Sequence, residues 1–171
     1  MAGEHGPARS APPERLAARL EMQAAAIPAL LDGRAEEDLE RRSASGGWSA
    51  REQLAHLTRY HELFLERLDR MRGEDAPRLG RYRAEDDPRF PPFLELPTVE
   101  LLRRFGELRR TLITRVAGLT EAELARTGIH PAFGEMPVSL WIEFFLAHEG
   151  HHLYVILQRV REGGAAPSDS K

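Results

Sequence analysis

The 171-residue chain contains no cysteine. Disulfides, thiol nucleophiles and cysteine-ligated zinc are thereby excluded, and the redox compartment is left open. Lysine is nearly absent too: among 24 basic residues only Lys171 is one, which reads as a bias of genome composition. A formal net charge of -3 provides no basic field to hold nucleic acid. No apolar run is long enough to span a bilayer. The opening residues, MAGEHGPARSAPPERL, lack the apolar stretch of a secretory signal. A soluble, cytoplasmic protein with no nucleic-acid or membrane partner is the expectation. Strand-like alternation and internal repeats are also missing.

What remains is helical spacing. The length suits one domain with a real core. Residues 1–12 and 163–171 are rich in Gly, Ala, Pro and Ser and read as flexible tails around a domain at 13–162. A first helix is predicted from Pro13 to Asp32, where Leu16, Leu20, Ala24, Ile27 and Leu31 step by three and four. Pro28 should kink it, and Gly33 suits the position just past its end. Residues 34–42 read as a short helical turn. Ser49 and Glu52 form a capping box that opens a second helix. Leu54, Leu57, His61, Phe64, Leu68 and Met71 make its stripe, and Gly73 ends it.

The segment 73–96 carries Pro77, Pro88, Pro91 and Pro92, with Pro97 directly after, and is no regular helix. Loops of that length often cover a site. A third helix is predicted over Thr98–Ala117. A second capping box, Thr120 to Glu123, opens a short one, and Gly128–Pro137 reads as a loop. The last helix runs from Pro137 to about Arg161. Four main amphipathic helices imply an all-α four-helix bundle, with room for a crossover between the second and third.

The last helix poses the functional question, because FFLAHEGHHLYVIL places three histidines in an apolar segment. At 100° per residue His148 and His152 fall inside the apolar arc, while His151 falls just outside it. Four residues apart, the inward pair stacks one turn above the other. That spacing chelates well, although two ligands are too few for a tight site. The plainer reading is a pair of hydrogen-bonded core histidines. A third ligand could come from the second helix, as His61 in the leucine stripe or His56 on its flank. Periodicity favours His61 but does not decide between them.

The segment GGWSAREQLAHL, Gly46 to Leu57, resembles the W-S-x-x-E-x-x-x-H-L signature of the DinB/YfiT-like superfamily. HPAFG followed by WIEFFLAHEGHH resembles its second half. The order and spacing of helices match over roughly residues 14–162. The resemblance implies a DinB-like bundle with a divalent metal held by His56, His148 and His152. It departs from the pattern at Val155, where relatives often carry glutamine, and at Pro137, where they often carry a threonine cap. His61 then becomes a core residue or a neighbour of the ligands. Tyr60, on the flank with His56, is a pocket candidate. Glu149 is a candidate hydrogen-bond partner for a ligand histidine or for an arginine. His130, followed by Pro131, could reach the mouth of the site from its loop. Glu52 shares the face of His56, but capping explains it more simply.

Three neutral imidazoles would leave a cation its charge and an open position, the mark of a catalytic rather than a structural site. Zinc, nickel, iron or copper would suit them. The resemblance implies an enzyme that transfers a small, low-molecular-weight thiol to an electrophile, with metal-dependent hydrolysis as the alternative. The loops at 73–96 and 128–136 would shape the pocket. Two further readings stand beside these: a non-catalytic metal- or ligand-binding module of a stress response, and a purely structural bundle that forms a homodimer through an apolar stripe.

Overall fold

The structure is a computed structural model and describes residues 12–163. The tails expected at 1–12 and 163–171 lie almost wholly outside the described residues, and so does His5.

The predicted first helix is two helices, α1 (Pro13–Ala24) and α2 (Ala26–Leu31). The interruption falls one turn before Pro28, because a proline ring crowds the carbonyl four residues earlier, here that of Ala24. Gly33 has φ +67°, the left-handed conformation that ends a helix. A short helix α3 (Glu36–Glu40) leads to α4 (Ala50–Gly73), whose first turn carries the expected capping box between Ser49 and Glu52. After the proline-rich segment, with its single turn α5 (Pro91–Leu94), come α6 (Thr98–Ala117) and α7 (Glu121–Ala125). The last helix, α8, spans Val138–Gly163.

The stretch 128–137, expected as a loop, instead folds as an antiparallel hairpin of β1 (Thr127–His130) and β2 (Gly134–Pro137). Strands of four residues are too short for alternation to register. Gly134, at φ +73°, closes the turn. Gly128 lets β1 lie directly on α4, since a Cβ there would come within 2.9 Å of Met71.

Side-chain contacts fix the helix directions. Glu36 accepts from Thr98 at the start of α6 and pairs with Arg51 at the start of α4. Arg115, near the end of α6, pairs with Asp69, near the end of α4. The two helices are therefore parallel. In α8, Arg159 reaches Trp48 while Phe145 packs on Phe64, so α8 runs antiparallel to α4. Arg19 with Glu143 and Gln23 with Leu146 align α1 with α8. Segment 74–97 must consequently return along the length of α4, whose 24 residues rise roughly 36 Å. This is the crossover that the loop length allowed for. It covers the outer face of α4 with Ala84, Phe90 and Phe93, and α4 is buried on nearly all sides. It is also pinned to the hairpin, through Leu79 N–H to Ile129 O (3.0 Å) and Ile129 N–H to Pro77 O (2.9 Å).

The apolar core is divided in two. One cluster gathers Leu16, Leu20, Phe64, Leu112, Trp141 and Phe145; the other gathers Ile27, Leu31, Leu54, Leu101, Phe105 and Ile156. Between them lies a buried polar layer drawn from all four main helices. Arg109 of α6 is ion-paired with Glu149 of α8. Gln23 Nε2 of α1 donates to Glu149 Oε1 at 2.9 Å, and Arg109 Nη1 donates to Leu20 O at 3.0 Å. Arg109 Nε donates to His61 Nε2 of α4 at 3.0 Å, and His61 Nδ1–H donates to Leu57 O at 2.7 Å. Burial, and then the Arg109 charge, hold His61 well below its ordinary pKa, so the ring is neutral.

Removing one partner of such a pair strands a charge in the core. Glu149→Leu is expected to cost about 3–5 kcal/mol of stability, and Arg109→Leu a similar amount. The double variant should lose less than the sum, as read from urea unfolding in a double-mutant cycle. Strictly additive losses would contradict the pairing.

Candidate metal centre

On α4 the residues Gln53, His56, Tyr60 and Arg67 follow at intervals of three, four and seven and share one face. Antiparallel α8 presents His148 and His152, one turn apart, to that face. The ring centroids lie 5.2 Å (His56–His148), 4.4 Å (His56–His152) and 4.5 Å (His148–His152) apart. His148 Nε2 is 3.3 Å from His56 Nε2 and 3.1 Å from His152 Nε2. One nitrogen of each ring lies within 4.8 Å of the others.

Hydrogen bonding among the rings does not account for this cluster. Gln53 Oε1 accepts the Nδ1–H of His152 (2.5 Å), which leaves His152 Nε2 as a bare lone pair. His148 Nε2–H can satisfy only one of its two neighbours. The Nδ1 atoms of His56 and His148 are buried with no hydrogen-bond partner. A cation would satisfy all three inward nitrogens at once. Ligands at about 2.0–2.1 Å and near-tetrahedral or right angles stand roughly 2.9–3.4 Å from each other, and both short N···N distances fall in that range. The donor set fits a divalent metal.

The rings are also in the right protonation state. Burial lowers the pKa of His56 to about 3, with His152 adding to the effect. It lowers that of His148 to about 2, helped by His152 and His56, and that of His152 to about 4, helped by His151. Neutral imidazoles keep their lone pairs for a metal without first losing a proton.

A cavity of about 470 Å³ opens onto the cluster and is walled in part by His56 and His148. Tyr60, its ring tilted against that of His148 with centroids 4.1 Å apart, forms another wall, and burial raises its hydroxyl pKa. The crossover segment contributes Arg81 and Tyr82, and the hairpin contributes His130 and Phe133. Both regions expected to shape a pocket do so. His61 and Glu149 are placed elsewhere. Their hydrogen bonds belong to the polar layer, Glu149 takes the arginine rather than a ligand ring, and His151 is exposed.

Gln53 escaped the sequence reading. Its only signal was position, three residues before His56 on the same face. It supplies a polar contact to His152, from α4 rather than from position 155 of α8. Arg67 and Tyr82 were missed as well, because their role depends on the path of the crossover.

The sequence pattern of the DinB superfamily matches residues 19–156, a span that includes all three histidines. The chain belongs to the DinB superfamily. The uncharacterized protein YuaE of Bacillus subtilis (strain 168) is 28% identical over 136 residues, which is 72% of this chain and 83% of YuaE. Among solved structures, YfiT of Bacillus subtilis superposes with a TM-score of 0.75 at 20% identity and covers 96% of both chains. YfiT is described as a probable metal-dependent hydrolase with an unusual four-helix bundle topology. An uncharacterized protein of Clostridium difficile 630 superposes with a TM-score of 0.66 at 14% identity, covering 91% of this chain and 96% of its own. At these identities the two structures establish the shared DinB fold.

Acid should expose the buried histidines. A ring whose pKa is lower in the folded state than in the unfolded one takes up its proton first when unfolded. Its stabilising contribution is complete above the unfolded value near 6.5 and drains away as pH falls toward about 4 for His152, about 3 for His56 and about 2 for His148. Unfolding of metal-free protein followed from pH 7 to pH 4 should lose about 1.4 kcal/mol per pH unit for each proton taken up. A flat profile over that window would mean that the rings are not buried as neutral groups.

Proposed function

We propose that this DinB protein is a divalent-metal-dependent enzyme whose cation is held by His56, His148 and His152 and reached through the adjoining cavity. The observation that carries the reading is the convergence of three neutral imidazole nitrogens beside a cavity that two of the rings help to wall. When bound, such a cation supplies Lewis acidity that lowers the pKa of a thiol or of water. The protein's own residues do the remaining work. Gln53 holds His152 in the tautomer that turns Nε2 inward. Tyr60 and Tyr82 remain protonated, because burial raises the pKa of both hydroxyls.

Transfer of a small thiol to an electrophile is the preferred reaction. Among the described residues no carboxylate lines the cavity, so none of them offers a dedicated general base for water, and a thiol acidified by the cation needs one least. Hydrolysis is the second reading, favoured by the fold shared with YfiT. Protein loaded with zinc or nickel, then given a thiol and a chromogenic electrophile, should show a metal-dependent rate that His56→Ala and His152→Ala abolish. A rate no greater than the uncatalysed one would remove thiol transfer. Cleavage of a chromogenic ester by the same sample would move the reading to hydrolysis.

Metal affinity provides a separate check. Gln53→Ala should weaken zinc binding about 10–100-fold in a competition titration, while each histidine-to-alanine variant weakens it further. Unchanged affinity in Gln53→Ala would show that the amide does not orient the ring.

A further inference from the structure

Among the described residues, buried arginines keep carboxylates beside them, with one exception. Arg59 is 3% exposed and places Nε 2.8 Å from Asp87 Oδ2; Arg109 is 2% exposed and pairs with Glu149. Arg67 is buried as deeply, at 6%, yet among the described residues no carboxylate lies within ion-pair distance of it. Its partners are neutral. Nη2 donates to Gly80 O (2.6 Å) and Nη1 to Tyr60 Oη (3.4 Å), and the guanidinium lies 5.6 Å from the Trp141 ring. These contacts fix the group in place but leave its charge uncompensated. Buried charges are ordinarily paired, because desolvating a lone one is costly.

Arg67 lines the cavity beside the three histidines. Arg81 lines it too, exposed and likewise without a carboxylate partner among the described residues. His130 adds a donor. Its Nδ1 accepts from the amides of Ala132 (3.1 Å) and Phe133 (3.2 Å), so the proton of the neutral ring sits on Nε2. One wall of the cavity thus carries two guanidinium groups and an N–H, and the lining holds no acid to balance them among the described residues.

We propose that this wall is an anion subsite, in which Arg67, Arg81 and His130 Nε2–H take the carboxylate or phosphate of a small molecule. Arginine forks suit such oxyanions by geometry as well as charge. Phe133 and Phe144 would pack on the apolar part of that molecule. The step from subsite to substrate class rests on the metal-dependent reading above: the anionic end is held here while the reacting end reaches the three histidines, which selects an acidic thiol or an acidic ester.

The test is calorimetric and uses the metal-free full-length protein, with succinate and inorganic phosphate as probes and uncharged succinamide as control. Succinate or phosphate should bind, more weakly as salt rises, and succinamide should not. The tighter of the two anions identifies the headgroup. Arg81→Gln, an exposed change that folding tolerates, should weaken binding about tenfold. Arg67→Gln should abolish binding, and Arg67→Lys should restore part of it. Thermal unfolding verifies that each variant folds; if Arg67→Gln does not, Arg81→Gln and succinamide decide. Absence of binding by either anion, equal binding by Arg81→Gln, or equal binding of succinamide would overturn the subsite. Titration of zinc into the same sample separates the two readings. Zinc binding without anion binding overturns the subsite alone, whereas anion binding without zinc binding supports the subsite and overturns the metal centre.

Discussion

An imidazole taken out of water must find a partner for each ring nitrogen, and that requirement organises the candidate centre. His56, His148 and His152 are pressed together where α4 meets α8, and apart from one another the one hydrogen-bond partner they have among the described residues is the Gln53 side-chain carbonyl on His152. Burial keeps the rings neutral, neutrality keeps their lone pairs free, and those lone pairs point at one another. Retention of three uncapped nitrogens at such short separations is what a cation-binding tripod requires.

The rest of the fold supports that arrangement from two sides. Beneath it, the layer of Gln23, His61, Arg109 and Glu149 ties all four main helices together at mid-height, with an apolar cluster above and another below. A polar layer has few alternative pairings, so it holds the helices in register more strictly than apolar packing would. Above it, the crossover segment and the hairpin bond to each other and wall the cavity. Because α4 and α6 are parallel, the chain has to run the length of α4 to connect them. The same long segment both shields α4 and carries Arg81 and Tyr82 to the site.

Much of this was legible from residue spacing. The capping boxes at Ser49 and Thr120, the stop at Gly73, the span of α6 and the inward pair His148 and His152 all follow from local rules. The choice between His56 and His61 did not. Both are buried, at 5% and 0% exposure, because α4 is covered on its outer face as well. Periodicity assumes one wet side, and over residues 53–61 α4 has none. The hairpin at 127–137 was missed because four-residue strands are held by partners distant in sequence. Gln53 and Arg67 looked like ordinary polar residues of a helix until the neighbouring elements were in place.

The sequence by itself determined where helices begin and end, which faces are apolar, and that two histidines one turn apart share a face, because those properties depend on neighbours within a few residues. Only the tertiary structure decided which side of α4 meets α8, that Glu149 turns to Arg109 rather than to the three rings, and that Arg67 lies buried without a counter-charge. Each of those depends on which distant segments pack together, and in this fold that is set by the path of one long crossover.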